Sequence, residues 1–161
     1  MRAFSSTLAL ASALVAAPVL AAPTAIFPTV FVNSSPLPTS PEETARVAHM
    51  TEELGKALAE SSQYQPVDLA PVASALADVR DIHDCNGCAD DLAKKLGAKF
   101  AVVAWAQKVS NLILDLNIRI TDAQTGQVVR GGSVDIRGNT DESWNRGLKY
   151  LLTEHVFTAR K

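Results

Sequence analysis

Cysteine is scarce in this chain: Cys85 and Cys88 are the only two in 161 residues, too few for a disulfide-dense miniprotein. No block of Lys or Arg occurs, and the pI is about 5.9, so the electrostatic footprint of a nucleic-acid binder is missing. No apolar run reaches the ~20 residues that a membrane-spanning helix needs. No strand leads into a glycine-rich turn and helix with a following lysine, which excludes a phosphate loop of the familiar type. What is present is ordinary: 47% hydrophobic and 20% charged residues, a balance that excludes a disordered tail and a collagen-like chain. The length suits one domain.

The first residues carry an address. Met1-Arg2 is a short positive end, Leu8 to Leu20 is apolar apart from Ser12 and Pro18, and Val19 and Ala21 are small exit residues before Ala22-Pro23. That layout predicts a cleaved secretory signal peptide over residues 1–21 and a mature domain over 22–161. Its loss removes Arg2 and leaves 14 basic against 17 acidic side chains, a mildly acidic mature chain. No later segment is long enough to span a bilayer, so the expected location is the periplasm.

Along the mature chain, strand and helix signals alternate. Ala25 to Val32 reads as a strand, at an edge or interrupted, because Pro28 lacks a ladder donor. Ser40-Pro41-Glu42-Glu43 is a helix start with a capping box, and Val47, Met50, Leu54 and Leu58 continue it at helical spacing. Tyr64 to Leu69 reads as a short strand, and Pro71 to about Val79 as a small helix. Ala89, Leu92, Ala93 and Leu96 mark a third helix that Gly97 stops in the left-handed conformation.

Phe100 to Ala106 reads as a central strand covered on both faces. Leu112, Leu114, Leu116, Ile118 and Ile120 then alternate with Ile113, Asp115, Asn117, Arg119 and Thr121, the period of a half-buried strand. Asp122 to Gly126 is a hairpin loop, and the chain returns from Gln127 to Arg137. Val129 and the pair Val134/Ile136 have opposite parity, which predicts a bulge at Gly131-Gly132. Asn139 and Glu142 offer a capping box for a last helix that turns Trp144, Leu148, Leu151 and His155 to one side. The expected fold is α/β (α+β): a single domain with a mixed sheet of about five strands, a C-terminal antiparallel meander, and helices mainly on one face.

Two resemblances accompany this reading. The segment from Leu92 to Val103, the long alternating strand, and the turn Thr121-Asp122-Ala123-Gln124-Thr125-Gly126 resemble the small α/β domain shared by the N-terminal part of TolB and by CsgG. Over the whole mature chain, Ser110 to Leu114 and Asp135 to Trp144 resemble a family of exported proteobacterial proteins known only as a domain of unknown function. That likeness implies an envelope address and no established reaction. No lipid-bearing cysteine stands at the leader's exit and no propeller sequence follows, so neither pore building nor Tol function is expected.

The candidate chemistry is thin. Cys85-Asn86-Gly87-Cys88 is the sharpest feature: a short disulfide staple, with Asn-Gly supplying the turn, or a thiol–disulfide centre at the start of a helix. His83, Asp84, Cys85, Cys88 and Asp90 could gather a metal, but one cysteine pair lacks the second pair that makes zinc spacing persuasive. Ala89 stands where haem attachment needs histidine. His49 reads as a surface residue and His155 as partly buried. Asp141 and Glu142 fit the first turn of a helix, where the dipole favours acids. No nucleophile–base set is visible, so no catalytic residue, metal or cofactor is expected. The expected role is a non-catalytic envelope binding or assembly module that meets an envelope protein or a small ligand. Its candidate docking residues are Asp115, Arg119, Arg137, Asn139 and Trp144. The alternative is a periplasmic thiol–disulfide or metal-binding protein centred on Cys85 and Cys88.

Overall fold

The computed structural model describes residues 20–158; most of the expected leader and the last three residues lie outside the described residues. The elements are β1 (Ala22–Ile26), β2 (Val30–Asn33), α1 (Pro41–Glu60), β3 (Tyr64–Pro66), α2 (Ala73–Ala77), α3 (Cys88–Lys95), β4 (Phe100–Ser110), β5 (Ile113–Asp122), β6 (Val128–Ile136) and α4 (Asp141–Leu151). Short 3-10 turns at Ala70–Val72 and Ile82–Asp84 flank α2, and α4 runs into a π-helical turn at Leu152–Phe157. Among the described residues no helix is long and apolar enough to cross a membrane.

The sheet has the order β3-β1-β4-β5-β6, with β2 also on β4. β1, β2 and β3 join by parallel pairing, and β4-β5-β6 is the antiparallel meander read from the sequence. Six strands replace the expected five because Pro28 splits the first one. β1 pairs with Phe100–Val102 and β2 with Trp105–Lys108, both on the same side of β4. The break also shifts side-chain parity: Phe27 and Val30 pack on one face and Phe31 on the other.

Period two along β4 sorts the core. Val102, Ala104 and Ala106 face a larger cluster with Met50, Leu54 and Leu58 of α1 and Trp144, Leu148 and Leu151 of α4. Ala101 and Val103 face a smaller cluster with Ala89, Leu92 and Ala93 of α3. The two long helices thus share one face, and the short elements cover part of the other.

Three local expectations need correcting. The bulge in β6 falls at Val129, where Thr121 pairs with Val128 but Ile120 with Arg130, while Gly131 and Gly132 pair regularly with Arg119 and Ile118. The parity argument was sound, but the glycines serve another end. A Cβ on Gly132 would sit 2.3 Å from Cγ of His155, so glycine lets the C-terminal turn lie on the strand. The cap of α4 is Thr140, whose side chain accepts from the Ser143 amide, not Asn139. β4 runs four residues past Ala106, because polar Gln107 and Lys108 continue its ladder.

Candidate functional site

Ser40 caps α1 as the sequence predicts. Its hydroxyl accepts from the Glu43 amide at 3.2 Å, and its own amide donates to Glu43 Oε2 at 2.8 Å. The other carboxylate oxygen is buried in a polar network that ties three distant segments together. Lys108, inward-facing at the end of the Val102-Ala104-Ala106 row, donates from Nζ to Glu43 Oε1 at 2.6 Å, and Asn139 Nδ2 donates to the same oxygen at 2.6 Å. Asn139 Oδ1 accepts from the Trp144 indole at 2.9 Å and from Arg46 Nη1 at 3.2 Å. Arg46 Nε closes the set on Asp141 at 2.6 Å.

Glu43 and Lys108 are each 2% exposed. Burial pushes the Glu43 carboxyl up, but hydrogen bonds from Lys108, the Ser40 amide and Asn139 outweigh it and hold the group below its ordinary value. A carboxylate so fully engaged is a brace, not a proton carrier. Asn139 and Trp144 are therefore internal members of this brace. Trp144 is 3% exposed and contributes only to the wall of a cleft of about 390 Å³ between α1 and α4, with Arg46, His49, Met50 and Leu148.

The other docking candidates lie elsewhere. Asp115, Asn117 and Arg119 point from β5 to the face opposite α1 and α4. Their partners on β6 are Asp135, Ser133 and Gly131, all exposed. Asp115 and Asp135 stand directly across from each other, a pairing of like charges that destabilises a sheet. Arg137 is exposed just past the end of β6. No α-helix crosses the Asp115/Asp135 end of this face, since α3 packs on Ala101 and Val103. Asn117, however, is buried beside Trp105, and the 3-10 turn at Ile82–Asp84 lies against Trp105 and Arg119. The structure thus gathers Asp115, Arg119 and Arg137 on the hairpin and turns Asn139 and Trp144 into the core beside it.

Arg119 also belongs to the margin of the cysteine loop. Its Nη2 donates to the His83 carbonyl at 2.9 Å and its guanidinium lies 5.8 Å from the Trp105 ring, which His83 covers from 5.4 Å. Asp81 accepts from both the amide and the ring of His83. Cys85 and Cys88 are joined in a disulfide, and Asn86 and Gly87 between them have φ of 51° and 101°, the left-handed geometry that Asn-Gly adopts readily. Both cysteines pack against the smaller core cluster. A cavity of about 480 Å³ opens beside this loop, lined by His83, Cys85, Asp90, Arg119 and Thr121, with Thr121 donating to Asp90. Among the described residues no three His, Cys, Asp or Glu side chains form a metal-binding group. His49 is exposed and His155 partly buried.

Glu43, Lys108 and Arg46 are the structural centre that the sequence reading missed. The available signal was the alternation of Val102, Ala104, Ala106 and Lys108, which carries the lysine inward.

Several solved structures share the fold. The LpoB C-terminal domain from Escherichia coli is 22% identical with a TM-score of 0.53, covering 75% of this chain and 87% of that one. The lipoprotein GNA1162 from Neisseria meningitidis is 20% identical with a TM-score of 0.53, covering 82% and 91%. A PelC dodecamer from Paraburkholderia phytofirmans is 9% identical with a TM-score of 0.50, covering 85% and 89%. At such identities the likeness shows the fold alone, and the resemblance to TolB and CsgG is not shown by it. No curated protein matches the chain by sequence. The model of one family, DUF3280, described as "Protein of unknown function (DUF2380)", matches residues 23–156, and the chain belongs to that family.

Proposed function

We propose that this chain is a non-catalytic envelope module, exported to the periplasm by a cleaved leader, that binds a protein or small ligand through the uncovered face of the β5–β6 hairpin. One observation carries the reading: Asp115, Asp135 and Ser133 form a polar strip on a part of the sheet that no α-helix covers, with two opposed carboxylates and no cation bonded to Asp135 among the described contacts. A partner that brings a positive group to Asp115 and Asp135 relieves that repulsion, which gives the face a chemical preference for basic groups. The side chains most suited to chemistry are occupied. Glu43 and Lys108 neutralise each other in the core, and Cys85 and Cys88 are bonded to each other. Kinship of fold with the lipoprotein GNA1162 and with the PelC dodecamer is in keeping with work at an envelope or in an assembly.

The thiol–disulfide alternative draws on one feature, the placement of Cys88 at the start of α3. Against it stand the packing of both cysteines on the smaller core and the tight Asn-Gly turn that favours a staple. Affinity purification of the tagged chain from the envelope fraction tests the proposal. The expected result is a reproducible partner or bound ligand; a chain recovered alone, or one that exchanges disulfides with a model thiol at a catalytic rate, contradicts it.

A further inference from the structure

Seven large apolar side chains are exposed among the described residues, and four of them, Leu37, Val109, Leu112 and Ile113, gather at one end of the sheet. Leu112 is 74% exposed, the greatest of the four. Their exposure is built in. The ladder skips Val109, pairing Lys108 with Leu114 but Ser110 with Ile113, and a bulge of this kind re-aims the extra side chain outward. The turn beyond it is fixed by the Leu112 amide donating to Ser110 Oγ at 3.2 Å.

The loop after β2 is held alongside. The Ser34 amide donates to the Lys108 carbonyl at 2.9 Å, and Asn33 Nδ2 donates to the Leu37 carbonyl at 2.8 Å. Leu37 and Asn111 border one small cavity. The Gly138 amide reaches the Leu112 carbonyl at 3.4 Å, which brings Arg137 next to the tip. Residues 34–40 and 109–114 contain no charged side chain, and Lys108 beneath them is buried and paired. The apex is therefore aliphatic and uncharged, with the exposed Arg137 next to the Leu112 turn, Asp135 two residues back along β6, and Glu42 on the cavity that Leu37 borders.

We propose that this apex is a peripheral lipid-contact site, with Leu37, Val109, Leu112 and Ile113 entering the headgroup–acyl boundary and Arg137 meeting lipid phosphate. Protein interfaces draw their binding energy mainly from aromatic residues and arginine, with Leu and Val under-represented. A projecting aliphatic tip with a cation at its margin instead fits the layered chemistry of a bilayer surface, apolar below and anionic at the headgroups. The charge complementarity of Arg137 with phosphate selects the lipid occupant. Chain entry does not interfere: β1 pairs with Phe100–Val102, so residue 22 enters at the opposite end of β4.

Sedimentation with vesicles of phosphatidylethanolamine and phosphatidylglycerol tests the proposal. The wild-type chain should pellet with the vesicles. Leu112→Asp with Ile113→Asp should lower the bound fraction at least tenfold, while the melting temperature stays near that of wild type because both side chains are exposed. Leu112→Ser with Ile113→Ser is the milder variant should the first not fold. Arg137→Glu should weaken binding severalfold on anionic vesicles and little on neutral ones. Asp115→Lys with Asp135→Lys should not reduce vesicle binding, which separates this site from the sheet-face reading. A wild-type chain that stays in the supernatant overturns the proposal. So does a folded tip variant that pellets like wild type, or a tip that is needed to capture a protein but not to bind vesicles.

Discussion

The two faces of the sheet are built differently. One carries both long helices, the larger apolar cluster and a buried ion pair braced by Asn139. The other has the five-residue α2, the eight-residue α3 and a disulfide loop over part of its area, and toward its edge exposes polar residues of β6, Ser133 and Asp135. A sheet needs apolar cover on one face to be stable, whereas an antiparallel hairpin tolerates water on the other. The contrast separates the part of the molecule that holds the larger core from a part where the hairpin carries little cover.

The largest expected effect lies on the covered face. Lys108→Met leaves Glu43 as an uncompensated buried charge and should destabilise the fold by ~3–5 kcal/mol in urea unfolding. Adding Glu43→Gln should recover much of that loss; equal loss in both variants would show that the pair does not act as a unit. The same network sets the acid response. A carboxylate whose folded pKa is depressed contributes stability above its unfolded value, about 4.3 for glutamate. That contribution disappears as the pH falls through the folded value. Stability should decline below that range, and a pH series of melts on Glu43→Gln should show a shallower decline.

Smaller effects belong to the other face. Cys85→Ser with Cys88→Ser removes a very short closed loop, for which chain entropy gives about 2 kcal/mol. Thermal melts should show this loss while partner capture persists. Loss of function at undiminished stability would favour thiol chemistry. The smallest effect is at the bare strip. Asp115→Asn relieves the repulsion from Asp135 and should change stability by less than about 0.5 kcal/mol, in the stabilising direction. A large destabilisation there would mean that the strip is structural after all.

Local features were legible in the sequence, and long-range ones were not. The alternation from Leu114 to Ile120 identified β5 and its buried side, because period two needs no tertiary knowledge. Leu112, expected on that side, instead lies in the turn before β5 and is 74% exposed. Ser40 and Glu43 announced the cap, but nothing local says that the second Glu43 oxygen meets a lysine 65 positions away. Asn139 looked like a cap because it precedes acids, yet its side chain is claimed by Glu43, Arg46 and Trp144, and Thr140 takes the cap. Gly131-Gly132 looked like a bulge because the contact that demands glycine, His155, comes from another element. Among the docking candidates, Asp115, Arg119 and Arg137 were readable as one polar side of a hairpin. The inward turn of Trp144 depended on a core that only the assembled fold supplies.

The central proposal is that the face under α1 and α4 carries the larger share of the stability and the Asp115/Asp135 strip on the other face carries recognition. Its most direct test is a paired measurement on Asp115→Lys with Asp135→Lys: the melting temperature and the yield of partner captured from the envelope fraction. The account predicts a melting temperature within a few degrees of wild type together with loss of the partner. Undiminished capture by the folded variant would contradict it.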